Sequence, residues 1–265
     1  MPKSGQTWVP DFDKKSPLFV PFQALTREFS GCPNWPTTDA YTQLVARVCR
    51  ERGLDLPPLE FAAQTKKPRR AKREAVVLEE LYDGSIALRG QVPCLTESYH
   101  DLFNALIFAA FPLAKRVLHA RQFRALRERV QPGMTRLPEA RTREQDALTV
   151  FDEGGSVVLV SPEFYTRWSP EKPWTSLDVK SDQARLWVFG HALLEHVFYG
   201  RYALRSCAVV LVRDETTPSG DAALPWIDER LAHLLGDTLR FCTPGADGVV
   251  KIDECGETWL GMGLP

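Results

Sequence analysis

The chain has 265 residues, of which 44% are apolar and 25% charged, with 33 Lys and Arg against 34 Asp and Glu for a net charge of −1. That is ordinary globular composition with ample material for a core. It excludes a collagen-like repeat, long disorder and a small disulfide-stapled scaffold, and it names no function.

The opening MPKSGQTWVP lacks the apolar stretch of a secretory signal. The apolar runs at 102–113 and 186–194 fall short of the roughly 20 residues that cross a bilayer. The six cysteines are scattered with no CxxC pair, as suits a reducing compartment. The expectation is a cytoplasmic protein with no membrane contact.

Residues 1–36 interleave six prolines with Trp8, Phe12, Phe19 and Phe22. This reads as a proline-rich, aromatic arm packed on the body formed by 37–265. A helix is expected from Thr38, as N-cap, to about Arg52, with Gly53 as its stop and Tyr41, Leu44, Val45 and Val48 facing inward. The tract at 66–73 carries six basic residues in eight and forms a solvated basic loop.

Val76–Tyr82, Asp83-Gly84 and Ser85–Leu88 suggest a hairpin on a type I′ turn. From Ser98 to about Arg129 the pattern is helical, with Pro112 kinking it or starting a second helix. A second hairpin is expected from Ala147–Asp152, Glu153-Gly154-Gly155 and Ser156–Val160. Ser181–Tyr199 reads as one helix, Cys207–Val212 as a buried strand, Pro225–Leu235 as a short helix and Val249–Ile252 as a last strand. Helices interleaved with two hairpins and a buried strand indicate a single α+β domain.

The near-neutral sum hides a partition. Residues 115–143 hold nine basic and two acidic side chains, whereas 214–257 hold three basic and ten acidic. An anionic partner is therefore not excluded, and the acidic part either folds against the basic middle or leaves it open.

Three segments carry a resemblance: Tyr99-His100-Asp101-Leu-Phe-Asn104 followed by Phe111-Pro112-Leu-Ala-Lys115; Arg143-Glu-Gln-Asp146 running to Asp152-Glu153-Gly-Gly155; and Phe189-Gly190-His191-Ala-Leu-Leu-Glu195. Together and in this order they resemble a bacterial family catalogued as domain of unknown function three thousand and twenty-five, over roughly residues 75–212. Residues 213–265 find no counterpart in the resemblance and stand as a divergent acidic part. The resemblance implies no particular reaction and directs attention to the polar residues inside these motifs.

His191 and Glu195 lie four apart on one helical face, next to Ala184, Trp187 and Val188 if the helix is continuous. They either pair with each other in the core or serve as ligands or as a base with its orienter. His100 and Asn104 share another helix edge, and Lys115 joins it if the helix runs through Pro112. On a strand, Asp146 and Asp152 project from the same face, and Arg143 is placed to pair with Asp146. No GxSxG, P-loop, GxGxxG or HExxH motif is present.

These residues point to a small-molecule or phosphoester hydrolase. His100, Asn104, Asp146, Asp152, Lys115 and Arg143 are its catalytic candidates, and His191, Glu195, His100 and Asp152 are candidate ligands for a divalent metal, zinc or manganese. Lys115 or Arg143 would stabilise an anion. The alternative is a non-catalytic binding protein that offers basic surfaces to nucleic acid or an acidic protein.

Overall fold

The computed structural model describes residues 5–64, 75–168, 175–177, 183–244, 248–252 and 257–262. The basic tract at 66–73 lies outside the described residues. In the N-terminal segment, 3₁₀ turns at Phe12–Lys14 and Pro17–Phe22 precede the short helix α1 (Gln23–Thr26). Proline allows these tight turns while its missing N–H prevents a long helix. Phe12 and Phe19 pack on Phe103, and Phe22 packs on Phe111, so these aromatics are part of the main core.

Helix α2 (Thr38–Glu51) buries Tyr41, Leu44, Val45 and Val48. Thr37, not Thr38, is the N-cap, its hydroxyl accepting from the Ala40 N–H, and Gly53 takes positive φ just past the end. Strands β1 (Glu60–Ala63) and β2 (Gln91–Cys94) pair in parallel. Between them lies helix α3 (Tyr82–Arg89), where a hairpin was expected. Asp83-Gly84 is therefore helical. Glycine is needed at 84 because a Cβ there would sit on the Leu78 carbonyl oxygen.

The helical run breaks at Pro112 into α4 (Tyr99–Ala110) and α5 (Pro112–Arg127), which bend by 112°. The break is stitched from both sides. Asp228 accepts the free N–H groups of Leu113 and Ala114 in the first turn of α5. Arg52 pairs with Asp228 at 3.2 Å and donates to the Ala110 carbonyl at the end of α4.

Residues 143–160 are the second correction. Thr142 and Gln145 form a capping box that starts helix α6 (Arg143–Gly154), which runs directly into β3 (Gly155–Val160). The first arm of the expected hairpin is therefore a helix and its second arm a strand. Helix α7 (Pro162–Arg167) and strand β4 (Thr175–Leu177) follow. The expected helix 181–199 divides into strand β5 (Ala184–Val188) and helix α8 (His191–Phe198).

Strand β6 (Leu204–Val212), helix α9 (Ala223–Gly236) and strands β7 (Gly248–Ile252) and β8 (Thr258–Met262) complete the order. The mixed sheet runs β4-β8-β7-β6-β3-β5, with β3 and β6 parallel. The fold is α+β, as expected, with its hairpins elsewhere: β7 and β8 pair antiparallel. No single helix among the described residues is long and apolar enough to cross a membrane.

The acidic part folds against the basic middle where α9 packs on α5. Arg121 donates to the carbonyls of Leu235 in the last turn of α9 and of Asp237 and Arg240 just past it, and pairs with Glu144.

Candidate metal centre

Three elements meet at their ends. Helix α6 finishes at Gly154, α8 begins at His191, and α4 passes its first turn beside both. Gly190 makes the close approach possible. A Cβ there would lie 2.5 Å from the Glu153 carbonyl oxygen and the Gly154 nitrogen, and its N–H donates to the Gly155 carbonyl at 2.8 Å.

His191 is 3% exposed. Its Nδ1 lies 2.9 Å from the main-chain oxygen of Asp152. A carbonyl only accepts, so Nδ1 carries the proton and Nε2 presents a lone pair. That carbonyl belongs to the last turn of α6, where helix geometry leaves it without an intrahelical donor. His100 is fixed the same way, its Nδ1 donating to Glu195 Oε2 at 3.0 Å.

The two Nε2 atoms are thereby turned on each other at 3.1 Å. Two lone pairs at that distance repel unless a proton or a cation lies between them. Two imidazoles on one tetrahedral zinc ion have nitrogens about 3.3 Å apart. The carboxylate of Glu153 completes the set, with Oε2 3.6 Å from His191 Nε2, and ligand atoms of His100, Glu153 and His191 all lie within 4.8 Å of one another.

Electrostatics separates the two rings. Burial holds His191 down to about 3, with Lys115 and His100 adding to it against the pull of Asp152, so the ring is neutral. Burial also acts against protonation of His100, but the Glu195 hydrogen bond and the Glu153, Asp101 and Glu195 charges outweigh it and raise its pKa. Burial and the neighbouring Asp152 raise Glu153. The Glu153 side chain is 45% exposed, which leaves one side of the cluster open to solvent.

Of the four expected ligands, His100 and His191 supply facing nitrogens. Glu195 stands behind His100 and does not pair with His191. The Asp152 carboxylate does not join the His100–Glu153–His191 cluster and is held 2.5 Å from Lys115 Nζ. Lys115 is fully buried, with its ammonium 4.6 Å above the Phe108 ring. It does not share an edge with His100, because α5 turns away at Pro112, and its charge is spent on Asp152. Burial opposes ionisation of Asp152, but Lys115 and the nearby histidines hold its carboxyl well below the usual range.

Asn104 reaches Tyr82 and not the histidines. Asp146 and Arg143 sit exposed on the first turn of α6, about 1.7 and 2.5 turns from Asp152, and do not pair with each other. They do not share a face with Asp152 because the segment is helical. Glu153 is the candidate ligand that the turn assignment hides. Of the nine basic residues in 115–143, Arg116, Arg121, Arg124 and Arg129 are tied to protein carbonyls or Glu144.

A family model described as protein of unknown function (DUF3025) matches residues 69–245. The match runs past Val212, so the stretch as far as 245 has its counterpart in the family after all. No curated protein matches the chain, and no solved structure does.

Proposed function

The chain belongs to the DUF3025 family, a protein family of unknown function, and from that premise we propose that it is a hydrolase built on one divalent metal ion held by His100, His191 and Glu153. The carrying observation is the pair of Nε2 atoms 3.1 Å apart with both Nδ1 atoms anchored from behind. A carboxylate and a carbonyl behind two imidazoles fix their tautomers and raise their basicity, as outer partners do in metal sites. Two histidines and one carboxylate with an open side is the donor set of a catalytic zinc site, where a closed structural site would present four protein ligands.

A bound ion supplies a water acidic enough to ionise near neutral pH, together with a Lewis acid for a carbonyl or phosphoryl oxygen. The chain contributes the rest. Glu195 keeps His100 oriented, the Asp152 carbonyl holds the His191 proton on Nδ1 and so aims its Nε2, and the half-exposed Glu153 marks the side from which substrate enters. A small-molecule ester, amide or phosphoester is the substrate class. The nucleic-acid reading has less support, since several of the basic side chains from 115 to 143 are satisfied within the protein.

Metal analysis of the purified chain tests this, followed by hydrolysis assays on aryl ester, anilide and aryl phosphate panels with zinc or manganese restored. One metal equivalent and metal-dependent turnover are expected. A chain that holds no metal, and whose melting point ignores added zinc and manganese, overturns the reading.

A further inference from the structure

Beside the histidines lies a second set of buried polar side chains that the metal centre does not use. Asn104 follows His100 by one turn on α4 and is 2% exposed. Its Nδ2 donates to the Tyr82 hydroxyl oxygen at 2.8 Å, while its Oδ1 has no partner. His119 on α5 is equally buried. Its Nδ1 donates to Asp83 Oδ1 at 2.9 Å, while its Nε2 has no partner.

Tyr82 joins the two, its ring edge-on to His119 at 5.6 Å, and it is 37% exposed. Phe108 stacks on His119 at 5.4 Å and lies under the Lys115 ammonium, which places this set against the Lys115–Asp152 pair. The Asp152 carbonyl in turn anchors His191. The second set is thus contiguous with the metal centre.

A buried polar atom left without a partner costs about 1–3 kcal/mol. Two of them lie around one tyrosine, and a group that pairs with both would remove that cost. We propose that Tyr82, Asn104 and His119 form a recognition pocket for an uncharged group of the carboxamide type, one that both donates and accepts hydrogen bonds. The Lys115 charge is already matched by Asp152, and the Asp83 carboxylate already accepts from His119 Nδ1, so a charged group would arrive without a partner of its own.

Asn104 Oδ1 and His119 Nε2 offer lone pairs, and the Tyr82 hydroxyl keeps its proton to give. Turning the Asn104 amide over exchanges donor for acceptor, yet one amide atom stays unpaired either way. A group with both capacities fits both arrangements. The inference deepens the hydrolase reading, on which it rests for calling the occupant a substrate, by naming what that substrate carries.

The test titrates the full chain, with zinc added, with acetamide, acetate and methylammonium, following the Asn104 side-chain and His119 ring signals by NMR. Acetamide is expected to shift both saturably, whereas the two ions leave them unmoved. Tyr82→Phe, a change at a partly exposed position, should weaken acetamide roughly five-fold through one lost hydrogen bond. Asn104→Leu should abolish the shift while zinc affinity is kept.

An equal response to acetate, or no saturable shift because internal water alone fills the pocket, overturns the proposal. A zinc titration on the same samples separates the two readings. Zinc bound without acetamide removes the pocket alone, and acetamide bound without zinc removes the metal centre and leaves the pocket standing.

Discussion

His100 and His191 face each other Nε2 to Nε2 at 3.1 Å, and each is locked from behind, one by the Glu195 carboxylate and the other by the Asp152 carbonyl. Neither ring can turn to relieve the contact without giving up its Nδ1 hydrogen bond. The arrangement therefore calls for a positive centre between the rings: a shared proton, or the metal ion proposed above.

Metal affinity should reveal the difference between ligand and support. His100→Ala and Glu153→Gln each remove a donor atom and should abolish stoichiometric zinc or cobalt binding. Glu195→Gln keeps all the donors and loses only the charge behind His100, so affinity should fall by about 10–100-fold. Isothermal titration of the three variants decides it. Equal losses in all three would place Glu195 among the ligands, and no loss in any would leave the cluster without a metal.

Gly190 carries the approach of α8 to α6. A methyl group at this position meets the Glu153 carbonyl and the Gly154 nitrogen at 2.5 Å, both backbone atoms that cannot swing aside. Gly190→Ala should cost about 1–3 kcal/mol by overpacking and should also weaken metal binding, because it parts His191 from Glu153. Gly154→Ala is the control, since a Cβ there meets nothing within 4 Å. Denaturant midpoints and zinc affinity of the two variants should diverge.

How much of this was legible in the sequence follows from local signals. The face of α2, helix α9, the break at Pro112 and the strand at β6, buried at Ala208, Val209 and Leu211 but exposed at Val212, all rest on short-range rules. Ala147–Asp152 reads as a strand because Thr149, Val150 and Phe151 imitate one, although Thr142 and Gln145 stand at capping-box spacing just upstream and the segment is helical. With α6 recognised, Glu153 falls in its last turn beside Asp152. The run Ala184–Val188 is buried on both faces, Arg185 included, and periodicity cannot separate such a run from a buried helix. The convergence of His100, Glu153 and His191 is a tertiary fact from three elements, and no spacing rule could place them together.

Lys115 and Asp152 make a buried ion pair at 2.5 Å. Lys115→Met strands a carboxylate in the interior and should cost about 3–5 kcal/mol. Adding Asp152→Leu to it removes the stranded charge and should recover most of that loss. The Asp152 carbonyl survives both changes, so the His191 anchor and zinc affinity should persist in the double variant. If the double variant is as unstable as the single one, the pair contributes through packing and not through charge.

Acid should weaken the metal-free fold, and His191 should be a main cause. Folded, its pKa is held at about 3; unfolded, it returns to about 6.5. Between those values the unfolded chain binds the extra proton, so unfolding gains on folding as pH falls through that window. Asp152, depressed in the fold, adds to the loss below about pH 4. His100 acts in the opposite sense, because its raised pKa gives stability that is fully present below 6.5 and lost as pH rises past the folded value. From pH 6.5 to 4 the His191 contribution is on the order of 3 kcal/mol. Urea midpoints in a chelator at pH 7, 5.5 and 4 should therefore fall more steeply for the native chain than for His191→Asn, which has no proton to gain. Parallel acid limbs in the two proteins would assign the sensitivity to other groups and overturn the neutral state that burial gives His191.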